Sequence, residues 1–198
     1  MKTTAFHLNA SYIREEIKMN RILIGNAISF VAAIALLMGC IVESPKKVYL
    51  LQVVENAVLC LSSIVFGSWT GLSTLSLSII RSVLLMKNKY DKKWMVILSA
   101  LIVVFGAYLN EMGLIGWLPI LATVQWSVCS YYARKIIPIK IGMLVNILMW
   151  MVYFFAIWDF SSGIAQIITA GICTVSIIKL TIQKKKGSNA ENYPAEDG

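Results

Sequence analysis

The chain is poor in the residues that carry out chemistry. Of its 198 residues only 14% are charged, one is histidine and four are cysteine. With His7 alone no serine–histidine–carboxylate triad can be assembled, and four cysteines without a CxxC pair supply no metal set. Cys40, Cys60, Cys129 and Cys173 all fall inside apolar runs, where cysteine acts as a small packing residue. An enzyme is therefore not expected, nor a metal or organic cofactor. What the chain has instead is hydrophobicity, at 58% of residues with a mean hydropathy of +0.73. A soluble domain carries about a quarter charged residues, so the composition is that of an integral membrane protein.

Seven apolar runs are expected to be transmembrane helices: Ile22–Val42, Val48–Phe66, Leu72–Met86, Trp94–Leu109, Leu114–Ala133, Ile141–Ile157 and Gly163–Ile182. Their connectors alternate in charge. Lys46-Lys47, Lys87 to Lys93, Arg134 to Lys140 and Lys184 to Lys186 are basic, whereas 67–71, 110–113 and 158–162 hold no Lys or Arg. Basic residues are retained on the cytoplasmic side, which places the amino terminus outside and the carboxyl terminus inside. Twelve Lys and Arg then lie inside against four (Lys2, Arg14, Lys18, Arg21) outside. The net charge of +8 sits in these juxtamembrane clusters, which fits lipid headgroups and excludes nucleic acid as a partner. Polar residues such as Arg14, Glu15, Glu16, Lys18 and Asn20 separate the start from the first run, so no cleaved signal is read there.

An internal repeat is also expected. Pro45 and Pro138 each precede a basic pair or Lys, a helix, a turn without Lys or Arg that holds Trp69 or Trp158, and a further helix ending in basic residues. From Pro45 to Gly71 is 26 residues, and from Pro138 to Gly163 is 25. The fourth run lies between the units, so both face the same way. The organisation is an extracytoplasmic tail (1–21), a three-helix bundle (22–86), a linker helix (94–110), a second bundle (114–182) and a disordered cytoplasmic tail (183–198). A parallel 3+1+3 repeat places a site between its halves near mid-membrane.

This all-α plan with an outside amino terminus resembles the SWEET and PQ-loop (MtN3-like) superfamily of triple-helix-bundle transporters. Leu51-Gln52, Phe66-Gly67-Ser68-Trp69-Thr70-Gly71 and Ser78-Ile79-Ile80-Arg81 resemble, more specifically, the YgjV-type bacterial inner-membrane proteins. So do Leu118-Pro119, Ala122-Thr123, Asn146 and Trp150. The resemblance spans roughly 22–182 and implies a SWEET-like fold in the bacterial cytoplasmic (inner) membrane, with no substrate attached. Ser78 stands where some relatives have Asn, and a Pro-Gln dipeptide is absent, so no transporter site residues carry over.

Polar side chains inside lipid should face helices or a water-filled cavity. Helical spacing aligns Gln52, Glu55/Asn56, Leu59 and Ser63; Thr74, Ser78 and Arg81; Thr123, Trp126/Ser127 and Ser130; Asn146, Trp150 and Tyr153; and Gln166, Thr169 and Cys173. The fourth run offers only Ser99 and Gly106. Asn56, Ser78, Asn146, Trp150 and Gln166 are the candidate solute-binding residues, with helix–helix adhesion and aromatic filling as the alternatives. Trp69, Trp94 and Trp158 read as interfacial anchors. Glu55 and Arg81 either form an ion pair or, with Arg81 snorkelling to the headgroups, leave Glu55 for proton coupling. Pro119 is a candidate hinge. The expected function is a facilitator or transporter of a small polar solute, working by alternating access between the bundles. The alternative is a non-transporting protein that binds a lipid or protein partner. A second copy of the chain is compatible with either.

Overall fold

A computed structural model describes the backbone of residues 2–41, 45–132 and 136–191. The side chains of His7, Cys40, Pro45 and Arg134, and all of 192–198, lie outside the described residues. The described residues form seven α-helices: α1 (Lys2–Ile41), α2 (Pro45–Phe66), α3 (Trp69–Met86), α4 (Lys92–Tyr108), α5 (Trp117–Tyr132), α6 (Ile136–Ala156) and α7 (Phe160–Glu191). Both ends are more helical than the runs alone imply. The expected tail 1–21 is continuous with the first span, because neither Gly nor Pro interrupts the chain before Gly25. At the other end α7 continues past Ile182 through the helix-forming Gln183-Lys184-Lys185-Lys186.

The side-chain distribution is inverted relative to a water-soluble bundle. Phe30, Leu61, Ile80, Val104, Leu121, Val152 and Ile168, one from each helix in turn, are exposed, whereas Ser29, Ser62, Thr74, Ser82, Thr123, Ser127 and Thr169 are buried. An apolar exterior over a hydroxyl-rich interior suits hydrocarbon as the solvent. The buried hydroxyls avoid an unpaired donor by bonding back one turn: Thr74 to Thr70, Ser78 to Thr74, Thr123 to Pro119, Ser127 to Thr123 and Thr169 to Ala165. Four helical segments are long and apolar enough to cross a membrane: Glu15–Met38, Lys46–Phe66, Trp69–Met86 and Phe160–Ile182. The apolar stretch Lys140–Ala156 is shorter. At 17 and 16 residues, α4 and α5 reach only about 25 Å against a hydrocarbon core of about 30 Å.

Short connectors make successive helices antiparallel, and neighbours in the chain are neighbours in space. Contacts of α1 with α7 and of α3 with α5 close the helices into a ring, with α4 set outside against α3 and α5. In this ring α2 packs between α1 and α3, and α6 between α5 and α7.

The turns α2–α3 and α6–α7 have the same backbone design. Gly67 and Trp158 both adopt positive φ, +73° and +67°. Gly67 N–H donates to Ile64 O and Ser68 N–H to Ser63 O; Trp158 N–H donates to Phe155 O and Asp159 N–H to Phe154 O. Each is a Schellman end whose final residue also opens the next helix, since Leu72 N–H and Gly163 N–H bond to Ser68 O and Asp159 O. Glycine adopts the left-handed conformation without strain at position 67, while the second turn imposes it on a tryptophan.

Candidate functional site

The three-residue and four-residue steps of the polar stripes turn them toward the axis of the ring, where they meet in one cavity of about 60 Å³. From α2 it is lined by Gln52, Glu55, Asn56 and Leu59, and from α3 by Leu75, Ser78 and Arg81. Thr123 and Trp126 come from α5; Met143, Asn146, Ile147, Trp150 and Phe154 come from α6. Leu36 of α1 and Gln166 of α7 complete the wall, and α4 contributes nothing. All five candidate solute-contacting residues (Asn56, Ser78, Asn146, Trp150, Gln166) are thus brought together, as are Glu55 and Arg81. Glu55, Asn56, Ser78 and Asn146 fall within a residue or two of the midpoints of their helices, so the cavity is central.

The wall follows the common turn design. In α2 the positions 15, 12, 11 and 8 residues before Gly67 are Gln52, Glu55, Asn56 and Leu59; in α6 the positions 15, 12, 11 and 8 before Trp158 are Met143, Asn146, Ile147 and Trp150. Seven residues after Ser68 and Asp159 stand Leu75 and Gln166. Counted from the left-handed turn residue, Asn146 stands in the position of Glu55, whereas counted from Pro45 and Pro138 it stands in that of Val53. The two counts disagree because Pro45 lies 22 residues before Gly67 and Pro138 lies 20 before Trp158.

Arg81 does not snorkel. It is 4% exposed, and its Nη1 donates to Thr123 O at 3.4 Å and to Ser127 Oγ at 3.2 Å, reaching from α3 to α5. Its Nε is buried without a partner. Among the described residues no acid pairs with Arg81, and none of the hydrogen bonds involves Glu55, which is 9% exposed. The expected Glu55–Arg81 ion pair is not formed; the two groups face one cavity from different helices. Gln166 Oε1 is likewise buried and unpartnered. Asn146 Nδ2 donates to Ala122 O at 2.7 Å, fixing the amide, while Ser78 spends its proton on Thr74 O.

Above the cavity, toward the α2–α3 and α6–α7 turns, Ala32, Leu59, Leu75, Ala122, Trp150, Tyr153 and Phe154 form an apolar cluster. Trp150 stacks on Phe154 with centroids 5.2 Å apart, and its edge meets Tyr153 at 5.7 Å. The Tyr153 hydroxyl and Ser68 Oγ are hydrogen-bonded, joining α6 to the α2–α3 turn. Gly71 makes the room: a Cβ there would sit 3.1 Å from that hydroxyl.

Sequence reasoning missed the polar network beyond this cluster, since its members are scattered over three helices. Asp159 Oδ2 accepts from Ser29 Oγ at 2.6 Å, Ser29 and Ser62 hydroxyls meet at 2.5 Å, and Asp159 Oδ1 caps α7 through Ser162 N–H at 3.0 Å. Asn26 of α1 donates to Trp158 O and accepts from Ser161 N–H, both at 2.9 Å. Arg21 Nε donates to Val65 O at 3.0 Å, neutralising the carbonyl end of α2, a local reason for a basic residue at this end of the ring. Burial raises the Asp159 carboxyl above the ordinary aspartate value despite the Ser29 and Ser162 bonds that oppose the shift. A raised native value means that its contribution to stability is present at low pH and is lost as pH climbs through that value. Thermal unfolding of Asp159→Asn is expected to show a flatter pH dependence than wild type over that window, with the two curves diverging as pH rises.

Pro119 is not placed as a hinge. It lies in the first turn of α5, where a missing N–H breaks no internal bond, rather than inside a span beginning at Leu114. Cys60, Cys129 and Cys173 are free thiols, with Cys173 Sγ 3.3 Å from Lys140 O. Trp69, Trp94 and Trp158 are exposed at helix ends.

No curated protein and no solved structure matches the chain. The family described as bacterial inner membrane protein, Imp-YgjV, matches residues 23–184, nearly the whole helical ring and every residue of the cavity wall. With its apolar helices and that match, the chain belongs to the Imp-YgjV family of bacterial inner membrane proteins.

Proposed function

We propose that the protein is a transporter or facilitator of a small polar solute, with all seven helices crossing the membrane. The halves are α1–α3 and α5–α7, α4 is the linker, and the basic connectors are cytoplasmic. This is a 3+1+3 repeat of the SWEET-like kind. The observation that carries the reading is the cavity itself: a polar chamber at mid-membrane, walled by equivalent positions of the two middle helices, inside an apolar shell. Exchanging the halves maps the α1–α7 contact onto the α3–α5 contact, so the ring has two equivalent seams along which it can rock. The apolar faces of the shorter helices α4 and α5 support their crossing with local bilayer thinning. No enzymatic role is proposed, and the bilayer is the obligatory partner.

Glu55 supplies a route to energy coupling. A carboxylate held in an apolar setting without a protein partner is either neutralised by taking up a proton or balanced by a bound cation. The test is flux in proteoliposomes, using a panel of radiolabelled amino acids, sugars and nucleosides. Asn56→Ala combined with Asn146→Ala should reduce the flux of a transported solute at least tenfold while leaving the protein monodisperse. Undiminished flux would show that these asparagines only hold helices together. The second reading, a non-transporting binder of lipid or protein, is favoured by the cavity's modest size and predicts no flux for any solute.

A further inference from the structure

We infer that the cavity takes a small zwitterion, with its carboxylate on Arg81 and its ammonium between Glu55 and Gln166. The inference rests on the transporter reading for the route of entry, but the site is argued from its own geometry.

The wall has two chemically opposite poles. On the α3–α5 side stands Arg81, a buried guanidinium whose Nη1 is spent on Thr123 O and Ser127 Oγ while its Nε–H has no partner. An orphaned guanidinium N–H beside a cavity is a donor awaiting an oxygen, and its planar fork suits a carboxylate. On the α1–α2–α7 side stand Glu55 and Gln166, which also share a small recess of about 10 Å³ with Leu36. Gln166 Oε1 is a buried acceptor without a donor, and the Glu55 oxygens are acceptors when ionised. Asn146, whose Nδ2 is tied to Ala122 O, keeps its own carbonyl oxygen as a further acceptor. A solute that satisfies both poles presents an oxyanion at one end and N–H donors at the other.

The scaffold repeat sharpens this choice. In the equivalent places of the second half, Glu55 becomes Asn146 and Arg81 becomes Ile172. Both charges therefore belong to the first half, and a ligand with one charge of each sign matches them where an uncharged solute leaves both uncompensated. Size narrows it further. The cavity's 60 Å³ is on the scale of a few water-sized occupants. Glycine and L-alanine suit that scale better than a hexose or a nucleoside.

The experiment uses the purified full-length chain and four probes: glycine, acetate, methylammonium and glucose. Thermal shift and equilibrium binding should show glycine bound at least tenfold more tightly than acetate or methylammonium, with no shift from glucose. Arg81→Gln should remove glycine binding. Glu55→Gln should reduce glycine to the level of acetate, which is the signature of losing the ammonium pole alone. The wild-type comparison of glycine with its two half-molecules needs no variant, so it holds even if a substituted chain misfolds. Acetate binding as tightly as glycine, or no binding of glycine at all, overturns the inference. Radiolabelled glycine and glucose are then followed in proteoliposomes. Glycine bound through Arg81 and Glu55 but not carried would leave the site standing and refute the transporter. Glucose carried while glycine neither binds nor moves would leave the transporter standing and refute the site.

Discussion

Tyr153→Ala is expected to lower the melting temperature of the detergent-purified protein by about 10 °C, from a loss of about 3–5 kcal/mol. Tyr153 is 1% exposed at the centre of the apolar cluster, between Trp150 and Phe154. It also holds the only hydrogen bond from α6 to the α2–α3 turn among the described residues, through Ser68. Truncation removes the ring, leaves a void that helix-bound neighbours cannot close, and strands the Ser68 hydroxyl. Tyr153→Phe separates these effects. It keeps the packing and loses the hydroxyl, so its cost should fall to about 1–2 kcal/mol. If Phe and Ala were equally damaging, the hydrogen bond rather than the packing would hold this end of the ring closed. Differential scanning fluorimetry of the three proteins at fixed detergent and pH makes the comparison.

Arg81→Ala is expected to reduce flux of a transported solute by about a hundredfold, the cost of losing about 2.7 kcal/mol of interaction with it. Three consequences converge. The bridge from α3 to Thr123 and Ser127 of α5 is cut, the cavity loses the one cation among its described lining residues, and Glu55 is left without an opposite charge on the same wall. Arg81→Lys keeps the charge, but a single ammonium cannot reproduce the planar fork that binds two α5 acceptors while leaving another N–H for the cavity. It should recover part of the flux, about tenfold above Ala. Full recovery by Lys would mean that charge alone matters and that the α5 bridge does not. Flux measured in proteoliposomes at matched protein density reads both variants.

Much of this molecule was legible in the sequence because lipid imposes simple rules. Runs of apolar residues and polar residues at three-residue and four-residue steps located the helices and named the cavity-facing side chains from α2, α3, α6 and α7. Asn56, Ser78, Asn146, Trp150 and Gln166 share one wall for that reason. What was illegible depended on backbone conformation and on long-range contacts. The match of Trp69 with Trp158 aligned the two halves by side-chain type, yet the equivalence runs through positive φ, which a tryptophan at 158 hides and a glycine at 67 reveals. Arg81 is near enough to the Met86 end of α3 to be read as snorkelling, and only the position of Thr123 and Ser127 on a helix over forty residues away explains why it turns inward. Asp159 read only as part of a turn without Lys or Arg, because its partner Ser29 is 130 residues distant. Pro119 read as a hinge within the fifth run because hydropathy runs from Leu114, whereas the helix begins at Trp117.

The central claim is that the polar chamber is a passage and not merely the glue of a helix ring. Its most direct test needs no knowledge of the solute. In a chain whose native cysteines are replaced, Ser78→Cys places a thiol of nearly the same volume in the cavity wall. A small membrane-impermeant thiol reagent is then added to either face of oriented membrane vesicles, and the modified fraction is measured by mass spectrometry. Alternating access predicts modification from both faces, each slowed by a solute that is carried. Modification from one face alone, or from neither, would contradict it.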